Sequence, residues 1–197
     1  MVGLQAFFFV SGFSALIYQV VWQRALFALF GIHAESVTVI VTVFMLGLGL
    51  GSLAGGAASR RTGWPSLALF ACAEAGIGAF GLCSLGLFRA VGHATLALPP
   101  PATGAVAFLL LLAPTLLMGA TLPLLTTHLV ARWANVGRSV SALYAVNTLG
   151  SALAALASAF LLLGALGQAG AVQLAAAGNL AAAAGALILW RRDRNAA

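Results

Sequence analysis

The fold this sequence predicts is an all-α membrane protein, a bundle of six transmembrane helices in two three-helix halves. Three observations predict it. Six apolar runs account for nearly all of the 197 residues. Hydrophobic residues make up 62% of the chain and charged ones 6%, a balance that no water-soluble core of this size can hide. Finally, the arginines gather at the run ends of one side. A span needs about 20 apolar residues to cross a hydrocarbon core of about 30 Å. Lipid offers no water to unpaired backbone groups, so each run must be helical.

The first span, Leu4–Phe30, has no basic segment before it and is too long for a signal-peptide core, so it reads as a retained helix. Ser36–Ala58 is the second span, with Gly47, Gly51 and Gly55 spaced four apart, a groove that admits another helix closely. Its string Gly47-Leu-Gly-Leu-Gly51 imitates a nucleotide-binding loop. Such a loop must follow a strand and open a soluble helix, so no nucleotide or other cofactor is read here. Pro65–Phe88 is the third span. Pro99, Pro100 and Pro101 then form a stiff external connector between the halves.

Gly104–Leu125, the fourth span, contains Pro114 and Pro123, which free backbone carbonyls for Thr121 or water to satisfy. Ser139–Leu163 and Ala169–Trp190 complete the set. At an offset of 103 residues, Gly47, Gly51 and Gly55 correspond to Gly150, Ala154 and Ser158, and Ser36-Val37 to Ser139-Val140. The second and fifth spans run in opposite senses, the arrangement of an inverted repeat.

The net charge of +6 comes from nine arginines against Glu35, Glu74 and Asp193, with no lysine. In a soluble protein this would suggest nucleic acid; at span ends it is a topology signal, and no nucleic acid is expected. Arg60, Arg61, Arg132, Arg138, Arg191, Arg192 and Arg194 lie on one side, and Arg89, His33, Glu35 and His93 on the other. Both termini are therefore expected in the cytoplasm. Cys72 and Cys83 lie about 16 Å apart along one helix, too far to bridge, and read as small core residues. The three histidines show no metal-ligand spacing, and no metal is expected.

Polar residues inside the spans are the candidates for function. Glu74 is the most costly, since a carboxylate near mid-span costs several kcal/mol unless neutralised or paired. It marks either a cation or proton site or a polar knot between helices. Counting about 1.5 Å per residue from each span's midpoint, Gln19 and Asn147 lie closest to it in depth, and Arg24 about 14 Å away. Gln19 and Asn147 are the expected partners. Tyr18 shares a face of the first helix with Trp22, and Tyr144 a face of the fifth with Asn147 and Ser151. Thr121 completes the pathway candidates. No residue is expected to be catalytic.

Several strings resemble a known family. Ser11-Gly-Phe-Ser-Ala-Leu-Ile-Tyr-Gln-Val-Val-Trp-Gln-Arg24 resembles the opening of the membrane domain fused to spermidine-synthase-like proteins in many bacteria. The resemblance continues through the glycine-rich second span, Ala73-Glu74-Ala-Gly-Ile-Gly78, Pro114-Thr-Leu-Leu-Met-Gly-Ala-Thr-Leu-Pro123 and Leu143-Tyr-Ala-Val-Asn-Thr-Leu-Gly150. That domain is similar to half of a major-facilitator transporter, and Gly55–Gly63 with Arg60 and Arg61 resembles the facilitator loop after its second helix.

The resemblance implies a bacterial inner-membrane module of a polyamine-synthase-like system, a conduit or a platform for a cytoplasmic aminopropyltransferase-like enzyme. A structural subunit is the alternative. Two departures stand out. The family often has an acid where this chain has Gln19, and these residues contain no methyltransferase-like sheet, so the family's enzymatic activity does not reside in them. Half a facilitator-like cavity implies a homodimer or a second membrane chain.

Topology gives the first test: reporter fusions at Pro100 and after Arg194 should report opposite sides of the membrane, and finding both on one side overturns the orientation.

Overall fold

The computed structural model describes residues 2–30, 34–61 and 63–196. They form α1 (Val2–Phe30), α2 (Ala34–Arg61), α3 (Ser66–Ala94), α4 (Pro100–Trp133), α5 (Val136–Ala157), a short π-helix (Ser158–Leu162) and α6 (Leu163–Ala196). Among the described residues there is no strand. His33, expected on the outer side, lies outside the described residues.

Five stretches are long and apolar enough to cross a membrane: Gly3–Phe27, Val37–Arg60, Ser66–Ala94, Pro101–Trp133 and Val136–Asn195. The last runs for 60 residues and joins the two final runs of the sequence. It is not one straight rod. Gly167 has φ 64° and ψ −174°, a conformation that glycine alone adopts without strain, and helical structure breaks there.

Two packing clusters show how the helices are laid. In one, Leu4 and Phe8 of α1 meet Leu67 and Phe70 of α3, Leu125 and Leu129 of α4, Leu143 of α5 and Ala186 of α6. In the other, Val21 and Trp22 meet Phe44 of α2, Phe88, Leu111, Ala154 and Ala171. Thus α1, α3 and α5 point one way, α4 and α6 the other, and the chain reverses between Ala154 and Ala171. α2 runs with α4 and α6: its start lies in the second cluster, and Thr127 of α4 donates to Ser59 near its end at 3.2 Å.

Close backbone approach fixes the neighbours. A Cβ on Gly51 would run into the Leu116 carbonyl, and one on Gly55 would lie 2.7 Å from the Ala120 Cα, so α2 lies directly on α4. Gly47 fits against Thr115. Gly150 rests in the same way on the Phe9 carbonyl, so α5 lies on α1, with Ala154 buried on the same side. At the arginine-rich end Arg132 pairs with Asp193, Arg138 sits 4.9 Å over the Trp133 ring, and Arg194 sits 5.2 Å over Trp190.

Two expectations need correction. The three prolines are not a connector: Pro99 caps α4 and Pro100 opens it, because the first helical turn has no use for the missing N–H. Cys72 and Cys83 are exposed on the outer face of α3 rather than buried. A thiol is apolar enough to face lipid.

Gly51→Ala should lower stability by about 1–3 kcal/mol through overpacking against α4. Gly49→Ala, where a Cβ meets open space, should stay within about 0.5 kcal/mol. Thermal unfolding in mild detergent compares the two, and equal losses would contradict the packing.

Candidate functional site

Small residues around Glu74 let three helices converge. On α3, Gly78 lets Leu180 of α6 approach to 3.0 Å of a built Cβ, and Gly178 of α6 similarly admits Ser14 of α1. Into this junction α3 places Glu74, wholly buried. Ser11 of α1 donates its hydroxyl to Oε1 at 2.5 Å, and Asn179 of α6 donates Nδ2 to Oε2 at 2.6 Å. Each hydrogen bond to a charged group is worth about 1.5–3 kcal/mol, which offsets part of the several kcal/mol that burying a carboxylate costs. The ion pair found among the described residues, Arg132–Asp193, does not involve Glu74.

The expected partners are therefore corrected. Gln19 and Asn147 share Glu74's depth but face another space, a cavity of about 350 Å³ walled by α1, α2, α4 and α5. Its polar lining includes Ser11, Gln19, Thr121, Tyr144, Asn147 and Ser151. Ser11 belongs to both places: it lines the cavity and holds Glu74. Gly12 brings α1 against Asn147, and Ser151 donates to the Gly12 carbonyl at 3.1 Å, so the cavity's α5 wall is pinned to α1. No side chain lining the cavity is charged.

Of the remaining candidates, Tyr18 and Arg24 fall elsewhere, whereas Thr121 lies in the cavity wall. Tyr18 is buried against Gly81 and stacks on Trp22 at 4.8 Å, outside the cavity, and its hydroxyl has no partner. Trp22 donates Nε1 to Ser84 at 3.0 Å and packs against Phe44, Phe80 and Phe88, so this face of α1 is an aromatic core. Arg24 is exposed. Thr121 donates to the Met118 carbonyl at 2.7 Å, one residue short of the Gly119 carbonyl that Pro123 frees. Gly47, Gly51, Gly55, Gly150 and Ala154 serve helix contact. Among the described residues no group of three or more His, Cys, Asp or Glu gathers to hold a metal.

Sequence reasoning passes over Ser11 and Asn179. Asn179 carries a usable signal, since it lies at the midpoint of the run Ala169–Trp190 and is polar in an alanine-rich helix. The depth argument applied to Asn147 applies to it with equal force.

Asn179→Ala removes a donor from a buried oxygen and should cost about 1–3 kcal/mol. Glu74→Gln keeps the shape, and the Asn179 amide can turn to present its oxygen, so its cost should stay below about 1 kcal/mol. Thermal unfolding in detergent ranks the two variants; the reverse order would mean the carboxylate itself holds the helices together.

The chain matches none of the protein-family models, curated proteins or solved structures with which it was compared.

Proposed function

We propose that this chain is a transporter-like membrane module, resembling half of a major facilitator, that crosses a bacterial inner membrane six times with both termini in the cytoplasm. The observation that carries the reading is a cavity of about 350 Å³ between four apolar helices, largely apolar but with Gln19, Asn147 and several hydroxyl residues in its wall. Polar groups buried at membrane depth are costly and mark pathways for ions or substrates. Six crossings are supported by the reversal at Gly167 and the opposite placement of Ala154 and Leu143. The orientation is supported by the arginine-rich end shared by the α4 and α6 C-termini.

An inverted repeat is supported by pairing. At the 103-residue offset, α1 corresponds to α4 and α2 to α5, and the glycine contact of α2 on α4 reappears as α5 on α1. Tyr144, though it lines the cavity, is 63% exposed, so the cavity reaches the outer surface of the bundle. A homodimer or a second membrane chain closes it on that side.

The link to a polyamine-synthase-like system rests on the resemblance of the sequence strings, with the cavity as conduit or the bundle as platform for a cytoplasmic aminopropyltransferase-like enzyme. A scaffold subunit is the second reading, and one observation favours it: both oxygens of Glu74 are already satisfied inside the protein.

Spermidine uptake into vesicles reconstituted with the protein distinguishes them. The conduit reading expects uptake above empty vesicles, reduced roughly tenfold or more in the double variant Gln19→Leu/Asn147→Leu, the scale of one or two lost hydrogen bonds. Uptake equal to that of empty vesicles overturns the conduit and leaves the scaffold.

A further inference from the structure

We propose that Glu74 is a proton-exchange site, reached from the membrane cavity through the hydroxyl of Ser11. The inference rests on the reading of the cavity as an aqueous space, but not on transport of any particular substrate.

Three observations lead to it. The carboxylate has no cation beside it among the described residues and is held by neutral donors alone, from α1 and α6. The titratable group facing it is Tyr18 on α1, whose hydroxyl is itself buried and without a partner; α6 presents the neutral Asn179. Secondly, Ser11 bridges cavity and acid: the residue lines the cavity, and its hydroxyl donates to Oε1. A hydroxyl both donates and accepts, so it can pass a proton without acquiring charge. Thirdly, Oδ1 of Asn179 is buried without a hydrogen-bond partner, while Nδ2 of the same amide donates to Oε2.

That unpartnered oxygen has a use in the second charge state. A carboxylate offers only acceptors and needs the amide's NH₂; a carboxylic acid has a proton to give and needs an acceptor. Rotating the Asn179 amide by half a turn exchanges Nδ2 for Oδ1 at the same place. Both charge states are then satisfied by one side chain.

Atoms and charge balance in the exchange. A hydronium ion in the cavity gives a proton to Ser11 Oγ and is left as water. Ser11 passes its own hydroxyl proton to Oε1, where the new O–H bond turns the carboxylate into a neutral acid. A half-turn of the carboxyl group then brings that O–H to Oδ1 of the rotated Asn179 amide and leaves the bare oxygen facing Ser11. Serine ends as it began, and the reverse sequence returns the proton to the cavity. A membrane protein with such a site can couple the filling of its cavity to proton movement, because a cation entering beside Ser11 favours the charged acid and expels the proton.

Infrared spectroscopy of the full chain in lipid nanodiscs tests this without any substrate. The protein has three acids, Glu35, Glu74 and Asp193, so the carboxyl region is simple to assign. A protonated-carboxyl band that vanishes in Glu74→Gln should grow as pH falls, and in D₂O it should shift rapidly. Ser11→Ala should keep the band but slow its deuterium shift roughly tenfold or more, a barrier increase of about 1.4 kcal/mol. Ser11→Thr, which restores the hydroxyl, should recover the wild-type rate.

Exchange at the wild-type rate in Ser11→Ala overturns the Ser11 route, and a Glu74 band that does not change with pH overturns the site itself. If Ser11→Ala does not assemble, Ser11→Cys, with its weaker donor, is read in the same way. Loss of spermidine uptake with intact exchange would instead fault the substrate reading alone.

Discussion

Contact between helix backbones is the constraint on which the rest depends. In lipid, apolar side chains gain little by meeting one another, so helices associate where they can come close enough for dispersion and polar contacts. Here that closeness is seen at positions without a side chain: Gly51 on the Leu116 carbonyl, Gly150 on the Phe9 carbonyl, Gly12 on Asn147. These contacts fix α2 on α4 and α5 on α1. Once those pairs are set, the larger side chains between them cannot fill the centre, and the cavity is a consequence of the geometry. Its polar lining is then arranged by the same contacts, since Asn147 and Ser151 are positioned where α5 meets Gly12.

Glu74 works on the other side of α1. Hydrogen bonds from Ser11 and Asn179 join α1, α3 and α6 through one carboxyl group. The two systems share α1, with Ser11 standing on the boundary between them. In the proposed exchange, Ser11 is the point at which a change in the charge of Glu74 meets the cavity wall. The aromatic core around Trp22 keeps α1 from adjusting freely, because Trp22 is fixed both by Ser84 and by three phenyl rings.

Much of this architecture is legible in the residues. Length and hydropathy place the helices, and the four-residue spacing of Gly47, Gly51 and Gly55 identifies a packing face before any coordinate is known. Shared depth selects Gln19 and Asn147 as partners of Glu74, whereas they line a separate cavity. Depth alone does not reveal which way a helix is turned about its axis, which is why it pairs both with Glu74 although α1 presents Ser11 to that acid and Gln19 to the cavity. Small apolar residues are equally at home against lipid or protein, so Cys72 and Cys83 carry no sign of their exposure. Prolines in series suggest a loop unless the helix is known to begin at the second of them. The gap between the runs ending at Leu163 and starting at Ala169 does contain the break, but nothing in the sequence singles out Gly167 within it, for glycine is frequent throughout these spans.

The π-helix at Ser158–Leu162 has a consequence for the phase of the chain. A π-turn takes in one residue more than an α-helical turn, so the residues beyond it are rotated by about 100° relative to an uninterrupted helix. Ala154, before the turn, keeps its place against α1, while the residues leading to Gly167 are aimed afresh. The turn thus behaves as an insertion absorbed within a helix. It separates the register in which α5 must pack from the register in which the chain must turn back, so a change of one residue in the hairpin need not disturb the cavity wall.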